Sequence, residues 1–341
     1  MLKYILPFLT AVIFSFTLTP LVRKLAIKIG AVDIPKDNRR VHKEPMPHMG
    51  GLAIFFAVII VTLIFLPLSR EIISIILGGT IIVMGGILDD LRDLNPKAKF
   101  MFQIAAGLVI IIGGVKVDFV TNPFSKDIAL LDLRWLSIPI TLFWIVGITN
   151  TLNFIDGLDG LSAGVAMISS LTLMIVAARF GYSNIIVLSA AMAGACLGFL
   201  PYNFNPAKIF MGDTGALFLG FMLAAVTIEG VMKSVATIAI VAPILILSVP
   251  IFDTTFAICR RLLNGQSIVA ADKGHLHHRL LNRGFSQRKS VLILYSISAA
   301  FGLIAILVSQ ANSKQAVYLS LALLIGSVIV AAKLGIFEKR N

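Results

Sequence analysis

Long runs of apolar residues recur along the whole chain and constrain its fold more than any other feature of the sequence. A helix needs about 20 mostly apolar residues to cross the hydrocarbon core of a bilayer. Eleven segments approach that length, at residues 4–22, 49–68, 71–88, 99–115, 135–153, 158–178, 185–200, 212–229, 235–259, 291–309 and 316–334. Only 13% of the residues are charged, against about 25% in soluble domains. The sequence therefore predicts an all-α polytopic integral membrane protein.

The distribution of Lys and Arg predicts the orientation of these spans. With the N-terminus outside and the C-terminus cytoplasmic, 21 of the 29 basic residues fall on the inner side, as the positive-inside rule requires. Topology thus explains the basic charge, and no nucleic acid partner is expected. We predict a single membrane-embedded domain, residues 1–341, whose active site is formed by the cytoplasmic loops 23–48, 89–99, 150–157, 201–211 and 260–290.

An acidic pair, Asp89 and Asp90, stands at the inner end of the third span. Adjacent carboxylates repel each other and resist desolvation at a membrane boundary. A cation would relieve this cost, and Mg²⁺ prefers hard oxygen ligands combined with substrate phosphates. The alternative is a helix end whose carboxylates face water, although acidic residues there oppose the helix dipole. The pair therefore favours a metal site.

A second polar cluster follows the fifth span, and its members are Asn150, Asn153, Asp156 and Asp159. They recur at every third position, and each such step rotates an α-helix by about 300°, so the four side chains cannot share one face. Two glycines, Gly157 and Gly160, predict that the helix ends near Asp156 and that a turn follows. The alternative is an ordinary Asn/Asp/Gly turn, but loop 150–157 holds no Lys or Arg to balance its carboxylates.

The eighth span opens with Asp213 and Thr214, between Gly212 and Gly215. One interpretation is an ordinary helix N-cap, because Asp and Thr are common in that role. The other is a further metal ligand, because flanking glycines let a phosphate or the backbone approach closely.

The inner segment 260–290 is basic and contains His275, His277, His278 and Arg279. A zinc site is disfavoured, because no cysteine lies near and histidines this close rarely complete a tetrahedron. Imidazole and guanidinium groups together suit phosphate or sugar hydroxyls, whereas a solvated loop is the alternative. Just upstream, Asp253 precedes Arg260 by two helical turns, so the two residues can share one helix face.

Four strings carry a specific resemblance: LDDLRDLNPKAKF, NTLNFIDGLDGLSAG, FMGDTGALFLG and DKGHLHHRLLNRGF. In order and membrane position they resemble the signature loops of the polyprenyl-phosphate N-acetylhexosamine-1-phosphate transferases. The resemblance implies Mg²⁺-dependent transfer of GlcNAc 1-phosphate from UDP-GlcNAc to undecaprenyl phosphate, with Mn²⁺ as a substitute metal. The products would be undecaprenyl-diphospho-GlcNAc and UMP, at the start of teichoic acid, O-antigen or similar polysaccharide synthesis. The resemblance also implies that the protein is located in the bacterial cytoplasmic membrane, that membrane lipids are partners and that a homodimer is possible.

The resemblance also implies roles for individual residues. Asp89, Asp90 and Asp213 match the catalytic aspartates, Asp89 acting on the lipid phosphate and the other two binding metal, with Asp156 a further ligand. The implied substrate-binding residues are Asn150, Asn153, Asp156, Asp159, His275, His277, His278 and Arg279, with Arg39 and His42 of the first inner loop. The sequence departs from many relatives at His48, where an Arg is expected.

Three other functions stay open. The same chemistry could use another UDP-N-acetylhexosamine, although the HLHHRL string resembles GlcNAc-1-phosphate transferases more than the muramoyl-pentapeptide enzyme. An intramembrane prenyltransferase also carries aspartate pairs, but it gives the Gly-Asp-Thr-Gly string and the histidines no task. A transporter usually places ionisable residues near the membrane midplane, where only Asp253 fits that pattern.

Overall fold

The computed structural model describes residues 2–33, 45–121, 130–232, 238–266 and 274–309, together with Gly326. Arg39 and His42, both predicted to bind substrate, lie outside the described residues, as does nearly all of the predicted span 316–334. The described part of the chain is mostly α-helical. This confirms the helical architecture expected of a polytopic membrane protein.

Twelve α-helices are present among the described residues. They are α1 (Leu2–Ile29), α2 (Gly51–Phe65), α3 (Arg70–Arg92), α4 (Pro96–Ile112), α5 (Ser137–Ile155), α6 (Leu161–Phe180), α7 (Ser183–Asn203), α8 (Gly212–Thr227), α9 (Ile238–Ile246), α10 (Ser248–Leu263), α11 (Leu276–Asn282) and α12 (Gln287–Val308). Seven of them are long and apolar enough to cross a bilayer, namely α1, α3, α5, α6, α7, α8 with its π-helical extension, and α12. The predicted number of eleven spans stays a prediction.

The predicted span 235–259 is interrupted at Leu247, where α9 ends and α10 begins. Pro250 causes the break, because a proline has no N–H to donate to the carbonyl four residues earlier. That carbonyl belongs to Ile246, and it accepts a hydrogen bond from the Ser169 hydroxyl of α6 instead, at 2.9 Å. The side chain from α6 thus satisfies a backbone group that water could not reach.

Several helices run past the inner ends predicted from hydropathy. α1 continues through Arg23 to Ile29 and stops at Gly30, whose φ is +78°. α3 includes Asp89 and Asp90 in its last turn, so the chain is still helical where the predicted cytoplasmic segments 23–48 and 89–99 begin, and those bounds stay a prediction. Charged residues end the apolar signal, but Arg and Lys are good helix formers and do not end a helix. The predicted loops 150–157 and 201–211 likewise begin inside α5 and α7.

Two antiparallel hairpins add short strands to this helical fold. The first pairs β1 (Val32–Asp33) with β2 (Met46–Pro47), with Val32 opposite Pro47. The second pairs β3 (Phe119–Thr121) with β4 (Leu130–Asp132), with Val120 opposite Leu131. Both hairpins lie in loops between helices, and the first lies beside the cavity described below.

Helix α8 lies at the centre of the bundle and is almost entirely buried. It packs against α2, α3, α5 and α6, so its N-terminus is surrounded by the ends of several other helices. Close approach depends on small residues, since a Cβ on Gly86 of α3 would overlap the backbone of Thr214. The packing fixes the start of α8, and with it Asp213, against the last turn of α3.

Candidate active site

A cavity of about 640 Å³ opens at one end of the helix bundle. It lies where α3 and α5 end and α8 begins, and the loop after α7 forms a further wall. Seven aspartates line it, and Lys99 is the single Lys or Arg among its described lining residues. An anionic substrate would therefore be repelled from this cavity unless further cations accompany it.

Lys99 links two of the predicted catalytic aspartates. Its ammonium group forms an ion pair with Asp89 and another with Asp213, the latter at 2.8 Å. The Asp89 carboxylate, 5% exposed, also accepts a hydrogen bond from the Leu94 N–H at 2.8 Å. The Asp213 carboxylate accepts a further one from the Asn153 amide at 2.9 Å. Side chains from α3, α4, α5 and α8 thus meet around one cation.

Sequence reasoning missed Lys99, although it lies within the first quoted string. The signal was there: Asn95 and Pro96 mark the start of a helix, and Lys99 follows within the first turn. The Asn95 side chain accepts the Ala98 N–H at 2.9 Å and caps α4. A cation at this position faces back toward the acidic end of α3.

Asp90 caps the N-terminus of α8 from a different helix. Its carboxylate accepts hydrogen bonds from the Asp213 N–H at 2.9 Å, the Thr214 N–H at 3.2 Å and the Thr214 hydroxyl at 2.6 Å. Gly212 permits this approach, because its φ is +73° and a Cβ there would overlap the Asp90 carboxylate. Of the two interpretations of Asp213 and Thr214, the N-cap does not hold, because Asp90 supplies the cap of α8.

Asp156 follows the last residue of α5 and lines the cavity. No hydrogen bond to its carboxylate comes from any described residue. Desolvation, together with the charges of Asp213, Asp90 and Asp159, raises the pKa of Asp156 to about 8. This carboxylate is therefore poorly stabilised as an anion by the protein itself, and a bound cation would stabilise it.

Asp159 holds the loop after α7 in place. Its carboxylate accepts hydrogen bonds from the Asn205 amide at 3.0 Å and the Ala207 N–H at 3.1 Å. Nearby, the Asn203 side chain accepts from the Gly160 N–H at 3.1 Å and donates to the Ile209 carbonyl at 3.1 Å. These bonds join the turn after α5 to the wall that carries Gly212 and Asp213.

The predicted polar cluster after the fifth span divides into separate sites. Asn150 exchanges two hydrogen bonds with Gln103 of α4, at 3.1 and 2.7 Å, and lies outside the cavity lining. Asn153, Asp156 and Asp159 do line the cavity. The expectation that four such residues cannot share one helix face is thus consistent with where they lie.

The histidine segment approaches the cavity from the side of α10. His278 lines the cavity, whereas His275, His277 and Arg279 are not among its lining residues. His277 is buried where a Cβ on Gly157 would overlap its ring, and burial beside His278 lowers the pKa of His277 to about 3. The Arg279 guanidinium donates to the Gly274 carbonyl at 3.0 Å and so braces its own segment.

The residues around the cavity fit a divalent cation bound together with phosphates. The fit rests on the excess of carboxylates in the lining and on the unstabilised anion of Asp156. Within the described ranges, no three His, Cys, Asp or Glu side chains already converge on one coordination point. A Mg²⁺ ion needs only one or two protein carboxylates when substrate phosphates and water complete its coordination.

Comparisons with known proteins give matches over the whole chain. A sequence profile of glycosyl transferase family 4 matches residues 72–231. The probable undecaprenyl-phosphate N-acetylglucosaminyl 1-phosphate transferase of Bacillus subtilis (strain 168) is 44% identical over 341 residues, covering 100% of this chain and 94% of the relative. The decaprenyl-phosphate N-acetylglucosaminephosphotransferase of Mycolicibacterium smegmatis is 38% identical over 315 residues, covering 84% and 77%.

A more distant relative is named for the transfer of a phospho-N-acetylmuramoyl-pentapeptide. The phospho-N-acetylmuramoyl-pentapeptide-transferase of Halalkalibacterium halodurans is 30% identical over 325 residues, covering 90% of this chain and 96% of the relative. The resemblance noted in the four motifs is confirmed by these matches, which extend it from the motifs to full length. The chain therefore belongs to glycosyl transferase family 4 and is a phosphotransferase that transfers a sugar 1-phosphate.

Proposed function

We propose that the protein transfers GlcNAc 1-phosphate from UDP-GlcNAc to undecaprenyl phosphate in a Mg²⁺-dependent reaction. A phosphate oxygen of the lipid attacks the β-phosphorus of the nucleotide sugar. The bond between that phosphorus and the oxygen bridging to the α-phosphate breaks, and UMP leaves. One pyrophosphate linkage replaces another in undecaprenyl-diphospho-GlcNAc, so catalysis needs positioning and charge neutralisation more than a strong acid.

The acidic cavity at one end of the helix bundle is the observation that carries this proposal. A lipid phosphate can reach such a cavity from the membrane, while a nucleotide sugar can enter from the adjacent water. The curated relatives that the chain matches at 44% and 38% identity are named for undecaprenyl-phosphate and decaprenyl-phosphate GlcNAc transfer. Those names support the choice of substrates here.

The contacts in the cavity suggest a division of roles. Asp89 is held rigidly by Lys99 and the Leu94 N–H, and it would orient the lipid phosphate for direct attack. Lys99 and His278 both line the cavity and can donate to phosphate oxygens. Asn153 fixes the Asp213 carboxylate. We assign the nucleotide end to the turn carrying Asp156 and Asp159.

Asp213 and Asp156 would hold the divalent ion, because the Asp90 carboxylate already accepts three hydrogen bonds from Asp213 and Thr214 at the start of α8. When bound, the ion supplies charge neutralisation to the phosphates, and Mn²⁺ would replace Mg²⁺ because both accept oxygen ligands. Asp90 remains part of the site as the residue that fixes Asp213, and its contact with the ion stays a prediction.

In the cell, we place the protein in the bacterial cytoplasmic membrane with the cavity facing the cytoplasm. This orientation follows from the distribution of Lys and Arg. The product, a lipid-linked pyrophosphoryl sugar, would start the synthesis of a cell-envelope polysaccharide such as teichoic acid or O-antigen.

The test is an assay of purified protein with undecaprenyl phosphate, Mg²⁺ and a panel of UDP-sugars. We expect UMP release with UDP-GlcNAc, complete loss of UMP release in EDTA and recovery on adding Mg²⁺ or Mn²⁺. Preference for a different UDP-N-acetylhexosamine would correct the sugar. Release of inorganic pyrophosphate from a prenyl diphosphate, or substrate flux across vesicles without chemical conversion, would overturn the proposal.

A further inference from the structure

Asp253 of α10 binds the start of the histidine segment with both of its carboxylate oxygens. One oxygen accepts a hydrogen bond from Nδ1 of His275 at 2.7 Å, and the other accepts one from the Leu276 N–H at 2.6 Å. A carboxylate can only accept, so the Nδ1 of His275 carries the proton. Asp253 is 3% exposed and lies outside the cavity lining, so it acts through the segment it holds.

Helix α11 needs such an external partner. It has seven residues, a length at which an isolated helix is not stable in water. Its N-cap residue, His275, makes no side-chain hydrogen bond to the first turn. Asp253 supplies the missing acceptor, and its negative charge also suits the helix N-terminus.

The hold on His275 extends to the cavity through stacked rings. The rings of His275 and His277 are parallel within 4°, with centroids 5.9 Å apart, and the ring of His278 lies 4.3 Å from that of His277. His277 packs against Gly157, next to Asp156. His278 reaches the cavity. A shift at His275 would therefore move the group that lines the cavity.

We propose that Asp253 is a positioning residue that fixes α11 and thereby sets His278 against the donor diphosphate. The identity of the donor rests on the proposed function, whereas the coupling of Asp253 to His278 through α11 does not. This role also explains why the Asp253 carboxylate is buried, an observation that would otherwise favour a transporter.

The first test compares Asp253→Asn with Thr254→Val in the UMP-release assay. Thr254 is the matched control, because it is buried beside Asp253 and its hydroxyl has no hydrogen-bond partner among the described residues. We expect Asp253→Asn to raise the KM for UDP-GlcNAc about tenfold while leaving the KM for undecaprenyl phosphate unchanged. Thr254→Val should change neither. Equal effects on both substrates, or none, would overturn the proposal.

The second test needs no substrate. Trypsin cleavage after Arg279 is followed by mass spectrometry in the full-length purified protein. Release of α11 should make this cleavage about tenfold faster in Asp253→Asn and leave it unchanged in Thr254→Val. An unchanged rate in Asp253→Asn would contradict the role of Asp253 even if the donor sugar had been assigned wrongly. A wild-type protein without UMP release would instead count against the proposed function alone.

A further variant, His275→Gln, removes the ring contact but keeps the Leu276 N–H bonded to Asp253. It should show the same donor-specific rise in KM in smaller measure, and it decides the question if Asp253→Asn fails to fold. In the double variant, the KM should rise no further than in Asp253→Asn alone, because both changes act on one link. Multiplying effects would show that the two residues act separately, contrary to the proposal.

Discussion

Several aspartates in the described part of the chain accept hydrogen bonds from backbone N–H groups of other elements. Asp90 caps α8, Asp159 binds the Ala207 N–H, and Asp253 caps α11. Each reaches across to an element distant in sequence. Asp90 and Asp253 satisfy the first N–H groups of a helix, and Asp159 satisfies a loop N–H, because buried backbone donors need acceptors. The sequence predicted Asp90 and Asp159 as site residues but not Asp253, and only the hydrogen-bond partners separate structural acceptors from groups left for substrate.

Replacing Lys99 by Gln should lower kcat/KM at least about 100-fold, because Asp89 and Asp213 would then repel each other without a neutralising cation. The measurement is UMP release with saturating Mg²⁺. Lys97→Gln is the matched control, since Lys97 lies on the same helix with its side chain exposed. Wild-type activity in Lys99→Gln would show that the two ion pairs have no catalytic importance.

Asp213→Asn and Asp90→Asn should fail in different ways. Asp213→Asn should abolish Mg²⁺-stimulated turnover while the protein keeps its melting temperature in detergent. Asp90→Asn should also lower the melting temperature, since a charged cap of α8 becomes a neutral one at a cost of about 1 kcal/mol. Asp118→Asn, whose carboxylate pairs with Lys116 at the other end of the bundle, is the control. Equal melting temperatures of Asp213→Asn and Asp90→Asn would contradict the separate roles given to the two aspartates.

Among elements, the interiors of the spans were predictable and their ends were not. Hydropathy reports where apolar residues stop, yet α3 continues through two aspartates because α8 supplies N–H partners for one of them. The break between α9 and α10 depends on Pro250 and on a serine of another helix. Such contacts between distant segments leave no local trace in the sequence. The same reason explains why Asp253 was not assigned to the site, whereas Lys99 followed a helix start that Asn95 and Pro96 mark in the sequence.

The stability of α11 should depend on pH through His277. Burial lowers the pKa of this imidazole from 6.5 to about 3, so the fold favours the neutral ring. Below pH 6.5 the His277 imidazole takes up a proton when α11 is released but not while α11 is packed. The packed state of α11 therefore loses about 2 kcal/mol of stability by pH 5.

The rate of tryptic cleavage after Arg279 measures this loss of stability. At the lowest pH, an acid protease that stays active there replaces trypsin, and its rate of cleavage within α11 is measured. The wild-type protein should open faster as pH falls from 7 to 5, whereas His277→Gln should show a flat profile. A matching pH dependence in the variant would assign the effect to another group.

At the scale of the whole molecule, the fold places the cavity at one end of the helix bundle. The side of the membrane that this end faces is a prediction from the distribution of Lys and Arg. Exposed Lys97 lies at the cavity end, and exposed Asn184 lies in the first turn of α7 at the other end. With Cys196 and Cys259 replaced, a membrane-impermeant maleimide should label Asn184→Cys in intact cells. Lys97→Cys should react only after permeabilisation. The reverse pattern would contradict the predicted topology.

The central claim is that carboxylates from separate segments bind one divalent ion together with the substrate phosphates. The most direct measurement is electron–nuclear double resonance on purified protein with Mn²⁺ and UDP-GlcNAc. We predict ³¹P couplings to the ion in wild-type protein and in Asp118→Asn, and their loss in Asp213→Asn. Mn²⁺ bound without any phosphorus coupling, or coupling that persists unchanged in Asp213→Asn, would contradict the account.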